Sequence, residues 1–262
     1  MNAIKVEHAP KLAVVLGDAQ IPYHDKSLHT LTCRWLQDHN PDTLVILGDF
    51  LDFPSMSTHP KRNDFSASVS EVLNSGKAVL SNYLEVTPTL TAKYFICGNH
   101  EDRIRRQVMD KLPDLYDSVD TSIDTMLGLS AAGFTVFENY PHDSFALTPK
   151  LAIRHGWIAR QNAGVSALKT LDVLGHSVIV GHTHRQAIVH RSHHNIDGSV
   201  TTLTAVENGT MATIRNGLGY SAAADWQNGF SVVRFYADGE YHVSQASYSN
   251  GVLYYEGERY SI

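Results

Sequence analysis

Side chains that can bind divalent metals follow short apolar runs at five places along the chain. They are Asp18, Asp49 with Asp52, Asn99 with His100, His155, and His182 with His184. Carboxylate, amide and imidazole groups suit Mn, Fe, Zn or Ni, and no thiolate is expected among them, which argues against a structural zinc site. The residue types therefore predict a site for divalent metal ions.

The apolar runs that precede these residues predict buried strands. The runs are Leu12–Leu16, Thr43–Leu47, Tyr94–Cys97, Leu151–Arg154 and Ser177–Val180. Helical patterns separate the first three: one begins at about Ser27, the expected N-cap, and the other spans Ser66–Leu84. This β-α-β-α-β order predicts a largely parallel sheet. Ligands bind outside the carboxyl ends of such strands, so residues remote in sequence are expected to converge there.

The pattern changes after about Ile188. Alternating segments lie near Val200–Val206, Gly229–Phe235, Glu240–Tyr248 and Val252–Tyr255, separated by Gly or Asn-Gly turns. They predict antiparallel strands in a second sheet packed on the first. No linker or repeat interrupts the pattern, so residues 1–262 are predicted to form a single domain. The polar stretches Pro54–Asn63 and Ile214–Asn228 are predicted to be long loops.

The composition excludes several classes of protein. A net charge of −6 over 262 residues provides no broad positive field for nucleic acid or anionic lipid. No apolar run approaches the roughly 18 residues of a membrane span, and Leu12–Leu16 is too short for a signal peptide. Cys33 and Cys97 lie in apolar runs and are predicted to be reduced thiols. We therefore expect a cytoplasmic protein without membrane association, whose oligomeric state stays open.

Three of the motifs together resemble those of calcineurin-like metallophosphoesterases. The motifs are Gly48–Asp52, Gly98–Glu101 and Gly181–His184, and the resemblance extends from Leu12 to about Thr210. Any one of these motifs alone is a weak signal, whereas their order and spacing are specific. The resemblance implies an α/β fold of the four-layer α/β/β/α sandwich type, with two sheets flanked by helices.

The resemblance also implies two metal sites. Asp18, Asp49 and His184 would hold the first ion; Asp49, Asn99, His155 and His182 would hold the second. The chain departs from the family's usual Asp-x-His pattern in its first motif, which here is Asp18-Ala19-Gln20. Either the amide oxygen of Gln20 is a ligand or a water replaces it. Because an amide is a weaker donor than an imidazole, we expect looser binding at the first site and a preference for Mn.

In such enzymes a hydroxide that bridges the two ions attacks phosphorus. His100, which is not a ligand, would protonate the leaving oxygen, a contribution typically of about 10²–10⁴-fold. Asp52 would accept a hydrogen bond from His100 and hold its tautomer. Arg103 is nominated for contact with the substrate phosphate because it lies nearest to His100 in sequence.

Each of these residues also has an ordinary structural interpretation. Asp18, Asp49 and Asp52 could cap helices, and Asn99 could be a turn residue. His155 could be a loop histidine, and Arg103 could belong to a solvated helical face with the two other arginines that follow the motif. His182 and His184 alternate along an extended segment, which would place both side chains on one side as two ligands require.

The expected activity is hydrolysis of a phosphodiester by two divalent ions. Phe53-Pro54 follows Asp52, where the protein-phosphatase branch has Arg-Gly, so a nucleotide or a small nucleic-acid-derived diester is preferred as substrate. Two alternatives stay open: a phosphomonoesterase acting on nucleotides or proteins, and a scaffold that binds a partner without catalysis. Loss of the Asp-x-His histidine favours the scaffold, whereas His100 has no evident purpose in one.

Overall fold

The computed structural model describes residues 11–57, 66–88, 90, 92–214 and 224–262. Numbered in chain order, the strands are β1 (Lys11–Leu16), β2 (Thr43–Ile46), β3 (Ala92–Ile96), β4 (Thr135–Phe137), β5 (Phe145–Thr148), β6 (Leu151–Arg154), β7 (Ser177–Val180), β8 (Gln186–His194), β9 (Val200–Asn208), β10 (Asn228–Phe235), β11 (Tyr241–Ser249), β12 (Val252–Tyr255) and β13 (Glu258–Ser261). The helices are α1 (Lys26–His39), α2 (Val69–Val86), α3 (Asp102–Lys111), α4 (Ile123–Leu127) and α5 (Val165–Leu174), with 3-10 turns at Pro54–Met56 and Pro113–Ser118.

The strands form two sheets. The first has the order β13-β12-β11-β10-β1-β2-β3-β4, and the second has the order β5-β6-β7-β9-β8. Strands β1 to β4 are parallel, as the β-α-β-α-β pattern predicts, and β10 joins them antiparallel to β1. In the second sheet β6, β7 and β9 are parallel.

Alternate residues of the strands divide the core into separate layers. In β1, Ala13 and Val15 face the second sheet, where they pack with residues such as Ile153 and Ile179. Val14 and Leu16 face the opposite side and pack with α1 and α2. The outer face of the second sheet packs on α5. These layers confirm the predicted α/β/β/α sandwich.

Sheet membership differs from the prediction for several strands. β6 and β7 belong to the second sheet rather than to a single central one, and β10 to β12 extend the first sheet rather than forming the second. An apolar run shows that a strand is buried but does not show which sheet it joins. Among the alternating segments expected in the second sheet, β9 does lie there.

Helix starts also differ from the prediction. The N-cap of α1 is Asp25, whose carboxylate accepts from the Leu28 N–H, so the assignment to Ser27 is wrong. Helix α2 begins after Ser68, which forms a capping box with Glu71. The sequence patterns did not predict β4, β5, β13, α4 or α5.

The described part of the chain contains no helix that combines the length and apolar character needed to cross a bilayer. Both predicted long loops are only partly described. Residues 58–63 of the first and 215–223 of the second lie outside the described residues, and Pro54–Met56 forms a 3-10 turn.

Candidate metal centre

The polar residues that follow five strands of the two sheets converge on one edge of the sandwich. Ligand atoms of Asp49, His155 and His182 lie within 4.8 Å of one another, and so do those of Asp18, Asp49 and His184. Asp49 belongs to both groups. Two adjacent sets of ligand atoms that share one carboxylate can hold two ions side by side.

His155 is held in the tautomer that metal binding requires. Its Nδ1 lies 2.7 Å from the carbonyl oxygen of Leu47, to which it donates. Its Nε2 is buried, has no hydrogen-bond partner and lies 3.3 Å from Oδ2 of Asp49. A histidine that ligates a metal commonly donates its other nitrogen to a carbonyl in this way. The loop-histidine interpretation does not account for this orientation.

His182 and His184 reach the site from a turn and not from an extended segment. Both residues follow β7 and have left-handed backbone angles, with φ of 71° and 61°, so the expectation of strand alternation is wrong. The Nδ1 of His182 lies 2.8 Å from Oδ1 of Asn99. The Nε2 of His184 lies 3.3 Å from Oδ1 of Asp18, and its Nδ1 is buried without a partner.

Strained backbone is concentrated at this edge. Nine non-glycine residues in the described ranges have positive φ, and five of them are candidate ligands: Asp18, Gln20, Asp49, His182 and His184. A left-handed angle costs an L-residue roughly 1–2 kcal/mol. Such strain persists where the surrounding structure enforces it, and it is common at functional sites. A helix-capping role for Asp18 or Asp49 does not require these angles, because N-cap residues adopt extended ones.

Gln20 points into the same cluster. Its Nε2 lies 3.4 Å from Oδ2 of Asp49, and its Oε1 is buried without a hydrogen-bond partner. Gln20 itself is fully buried. A buried amide oxygen without a donor is unfavourable, and a cation beside Asp49 would satisfy it. The residues present therefore fit a metal centre, with the amide as a candidate ligand.

Glycines are required here because the backbone comes very close to the ligands. A Cβ at Gly98 would overlap Oδ1 of Asp49 and lie 2.7 Å from Nε2 of His155. At Gly181 it would lie 2.6 Å from Oδ2 of Asp18. Neither Gly98 nor Gly181 has a positive φ, so these positions require glycine for the lack of a side chain and not for its backbone freedom.

Glu101 holds the loops of the site together, a role that the sequence analysis did not assign. Its buried carboxylate accepts from the backbone N–H groups of Asp49, Leu51 and Gly98 at 2.8–2.9 Å. Burial, followed by the nearby Asp49 carboxylate, raises the pKa of Glu101 to about 7. Its place in the Gly98–Glu101 motif was the one available signal.

The electrostatics of the cluster favour a cation. Although burial opposes ionisation of Asp49, the imidazoles of His100 and His155 hold the pKa of this carboxyl well below its usual value. Burial lowers the pKa of His155, but the negative charge of the nearby Asp49 carboxylate raises it to about 10. A bound divalent ion would neutralise the same carboxylate without a proton on His155.

His100 lies beside Asp49, with Asp52 behind it. The Nδ1 of His100 is 2.6 Å from Oδ1 of Asp52, so the predicted contact is present, and the Nε2 is 3.6 Å from Oδ2 of Asp49. Arg103 contacts both His100 and Asp52. Its Nη1 is 3.1 Å from Oδ1 of Asp52, and its Nη2 is 3.1 Å from Nε2 of His100. Its side chain is 10% exposed and is not part of a solvated helical face.

Two aromatic residues that no sequence pattern singles out pack against histidines of the cluster. Trp226 packs on His184 with ring centroids 4.3 Å apart, and Tyr140 packs on His155 at 5.9 Å. Burial and the Asp49 carboxylate raise the pKa of Tyr140 to about 12. Arg106 donates to the carbonyl of Asn99 at 2.8 Å. No sequence pattern marks the two aromatic residues, because only the fold brings them to the site.

The segment that ends β9 supports the site from behind: Gly209 and Thr210 follow Asn208, the last residue of this strand. The Thr210 hydroxyl donates to the carbonyl of Asp18 at 2.7 Å and accepts from the Ala212 N–H.

No protein-family model matches the chain. Two curated relatives are called Gene 54 protein. The one from Mycobacterium phage D29 is 26% identical over 231 residues, and the one from Mycobacterium phage L5 is 27% identical over 237 residues. Each match covers 85% of this chain and 88% of the relative.

Similar solved structures include two proteins of the Vps29 type and a phosphoesterase. Vps29 of Entamoeba histolytica complexed with Zn²⁺ matches with a TM-score of 0.44 and 12% identity, over 95% of this chain and 98% of that one. Vacuolar Protein Sorting 29 of Cryptosporidium parvum has a TM-score of 0.45 at 15% identity, over 93% and 100%. The E. coli phosphoesterase Yfce has a TM-score of 0.39 at 14% identity, over 90% and 98%. Likenesses this distant assign no activity to this chain.

Proposed function

We propose that this chain is a calcineurin-like phosphoesterase that uses two divalent metal ions to hydrolyse a small phosphodiester derived from nucleotides or nucleic acid. The observation that carries the proposal is the pair of ligand groups that share Asp49, with His100 3.6 Å from the shared carboxylate. A structural metal site has no need of a proton-donating group at that position.

The residues divide into two metal-binding groups. Asp18, Asp49 and His184, with Gln20 beside them, would hold one ion. Asp49, Asn99, His155 and His182 would hold the other. Bound there, the ions supply Lewis-acid chemistry: they lower the pKa of water and neutralise charge on a phosphate. Because one ligand group has an amide where an imidazole is usual in the family, we propose that this position favours Mn.

His100 and its neighbours provide the proton for the leaving oxygen. Asp52 fixes Nδ1 and stabilises the imidazolium, so that Nε2 is the atom that carries the transferable proton. Arg103 now donates toward that same Nε2, which requires Nε2 to be unprotonated. The acid form of His100 therefore requires this guanidinium to turn away, and a substrate phosphate is a natural partner for it.

The experiment that tests the proposal is hydrolysis of bis-p-nitrophenyl phosphate by metal-stripped protein, before and after Mn²⁺ is restored. We expect turnover to require metal and to exceed turnover of p-nitrophenyl phosphate. Because nitrophenolate leaves without a proton, His100→Ala should lose more activity on a thymidine dinucleotide than on the nitrophenyl diester. The exposed His242→Gln serves as the matched control.

Two outcomes would favour a different function. A metal-dependent preference for the monoester would replace the diesterase proposal with a phosphomonoesterase. A folded protein that binds metal but hydrolyses neither compound with Mn, Fe, Zn or Ni would favour the scaffold alternative.

A further inference from the structure

Arg154 is a buried cation without an acidic partner. It ends β6, directly before His155, and is 7% exposed. Its Nη2 donates to the carbonyl of Pro141 at 2.6 Å, and its guanidinium lies 4.2 Å from the ring centroid of Trp157. The buried Nε has no hydrogen-bond partner. Among the described residues, no carboxylate lies within ion-pair distance of this guanidinium.

Arg103 shows what a buried guanidinium in this fold ordinarily has. Its side chain is 10% exposed, and it pairs with Oδ1 of Asp52 at 3.1 Å. Burying a charge is costly unless it is paired and hydrogen-bonded. The contact of Arg154 with Trp157 and the hydrogen bond to Pro141 offset part of that cost, but they leave the buried Nε–H without an acceptor. An anion from outside the chain would complete the pairing.

The position of Arg154 indicates which anion this is. Ile153 faces the core between the sheets, so Arg154 leaves β6 on the opposite face. The Tyr140–Pro141 segment connects this face to the metal centre: the ring of Tyr140 packs on His155, and the carbonyl of Pro141 accepts from Arg154. The guanidinium is therefore beside the metal centre but outside it. A phosphate bound to Arg154 would be a different one from the phosphate that is hydrolysed.

We propose that Arg154, together with the hydroxyl of Tyr140, binds a second phosphate group of the substrate, adjacent along a nucleotide chain to the diester that is cleaved. This inference rests on the proposed function and deepens it. It selects oligonucleotide ends and nucleoside bisphosphate esters as the substrate class over cyclic mononucleotides, which have one phosphate. A guanidinium is well suited to the role, because it binds phosphate through two parallel charge-assisted hydrogen bonds.

The test compares chromogenic substrates that differ only in the second phosphate. They are thymidine 5′-(p-nitrophenyl phosphate) with and without a 3′-phosphate, and thymidine 3′-(p-nitrophenyl phosphate) with and without a 5′-phosphate. We expect the Mn²⁺-loaded protein to prefer the phosphorylated member of at least one pair through a lower KM. Arg154→Gln should reduce that preference about tenfold or more. Arg154→Lys should retain part of it, and the exposed Arg160→Gln should leave it unchanged.

The outcomes separate this inference from the proposed function. Equal hydrolysis of both members of both pairs by the unaltered protein would overturn the second-phosphate site while leaving the phosphodiesterase intact. An equal loss on all four substrates in Arg154→Gln would show that Arg154 only anchors the Tyr140–Pro141 segment. No hydrolysis of any of the four would overturn the proposed function and this inference with it. If Arg154→Gln does not fold, Tyr140→Phe and Arg154→Lys carry the comparison, and an unchanged preference in both would contradict the site.

Discussion

The Nδ1 of His100 lies 2.6 Å from Oδ1 of Asp52, and both side chains are buried. This contact orients the imidazole so that its other nitrogen faces Asp49. The two residues are 48 positions apart in sequence, yet their side chains are in direct contact.

Asp52→Asn tests that pair. An amide would no longer stabilise the imidazolium, so proton donation by His100 should weaken. We expect kcat to fall at least about tenfold on a dinucleotide, whose leaving oxygen needs a proton, and much less on bis-p-nitrophenyl phosphate. Metal content, measured by elemental analysis, should stay unchanged. An equal loss on both substrates would indicate that Asp52 acts through folding instead.

Gln20→His tests the departure from the usual first motif. Restoring an imidazole next to Asp49 should tighten metal binding, by about tenfold at one of the two sites, whereas Gln20→Ala should weaken it. Titration of metal-stripped protein with Mn²⁺ and Zn²⁺ by calorimetry gives both affinities. If the two variants bind both ions with the affinity of the unaltered protein, Gln20 does not touch the metal.

Gly98→Ala tests the close approach of the backbone to the ligands. The added methyl group would displace the carboxylate of Asp49 or the imidazole of His155. We expect loss of metal binding together with destabilisation of about 1–3 kcal/mol, measured by urea unfolding and metal analysis. Gly251→Asn is the control, because its Cβ meets nothing within 4 Å and asparagine tolerates the left-handed angle there. Normal metal content in Gly98→Ala would contradict the geometry.

The buried imidazole of His29 should make the stability of the folded chain sensitive to acid. Burial, with the neighbouring His24, lowers the pKa of His29 from 6.5 to about 4. The folded state therefore disfavours the protonated form. Neutral His29 is therefore compatible with the full stability of the fold above about pH 6.5, and stability is lost as the pH falls toward 4 and the unfolded state takes up a proton more readily.

His29→Gln should reduce the dependence of the unfolding free energy on pH between 6.5 and 4, by up to about one proton. Glutamine can still accept from Asn82, which now lies 3.2 Å from Nε2 of His29. Urea midpoints at several pH values provide the measurement, with the exposed His242→Gln as control. The same pH slope in His29→Gln and in the unaltered protein would exclude His29 as the source.

The amino-acid sequence by itself determined the strands that lead into the site and the residues that follow them. Buried runs such as Leu151–Arg154 and Ser177–Val180 have the predicted bounds, because burial on both faces selects continuous apolar residues. The order of the Gly-Asp, Gly-Asn-His and Gly-His motifs then indicated which side chains would meet. These are local signals, and they are carried by residue type alone.

Only the tertiary structure decided which sheet each strand joins. β6 and β10 are both apolar strands, yet β6 belongs to the five-stranded sheet and β10 pairs with β1 in the eight-stranded sheet. Strand pairing depends on partners far along the chain, which an apolar run does not specify. The tertiary structure also decides the backbone angles. His182 and His184 are two positions apart, as on one side of a strand, but they occupy a turn with positive φ.

The supporting residues of the site were likewise decided by the fold. Glu101 accepts from two loops that meet only when β2 and β3 pair, and Tyr140 reaches His155 only when the two sheets pack. Arg154 is an ordinary arginine in the sequence. Its burial without an acidic partner exists only in the folded chain, because charge pairing is a property of neighbours in space and not of neighbours in sequence.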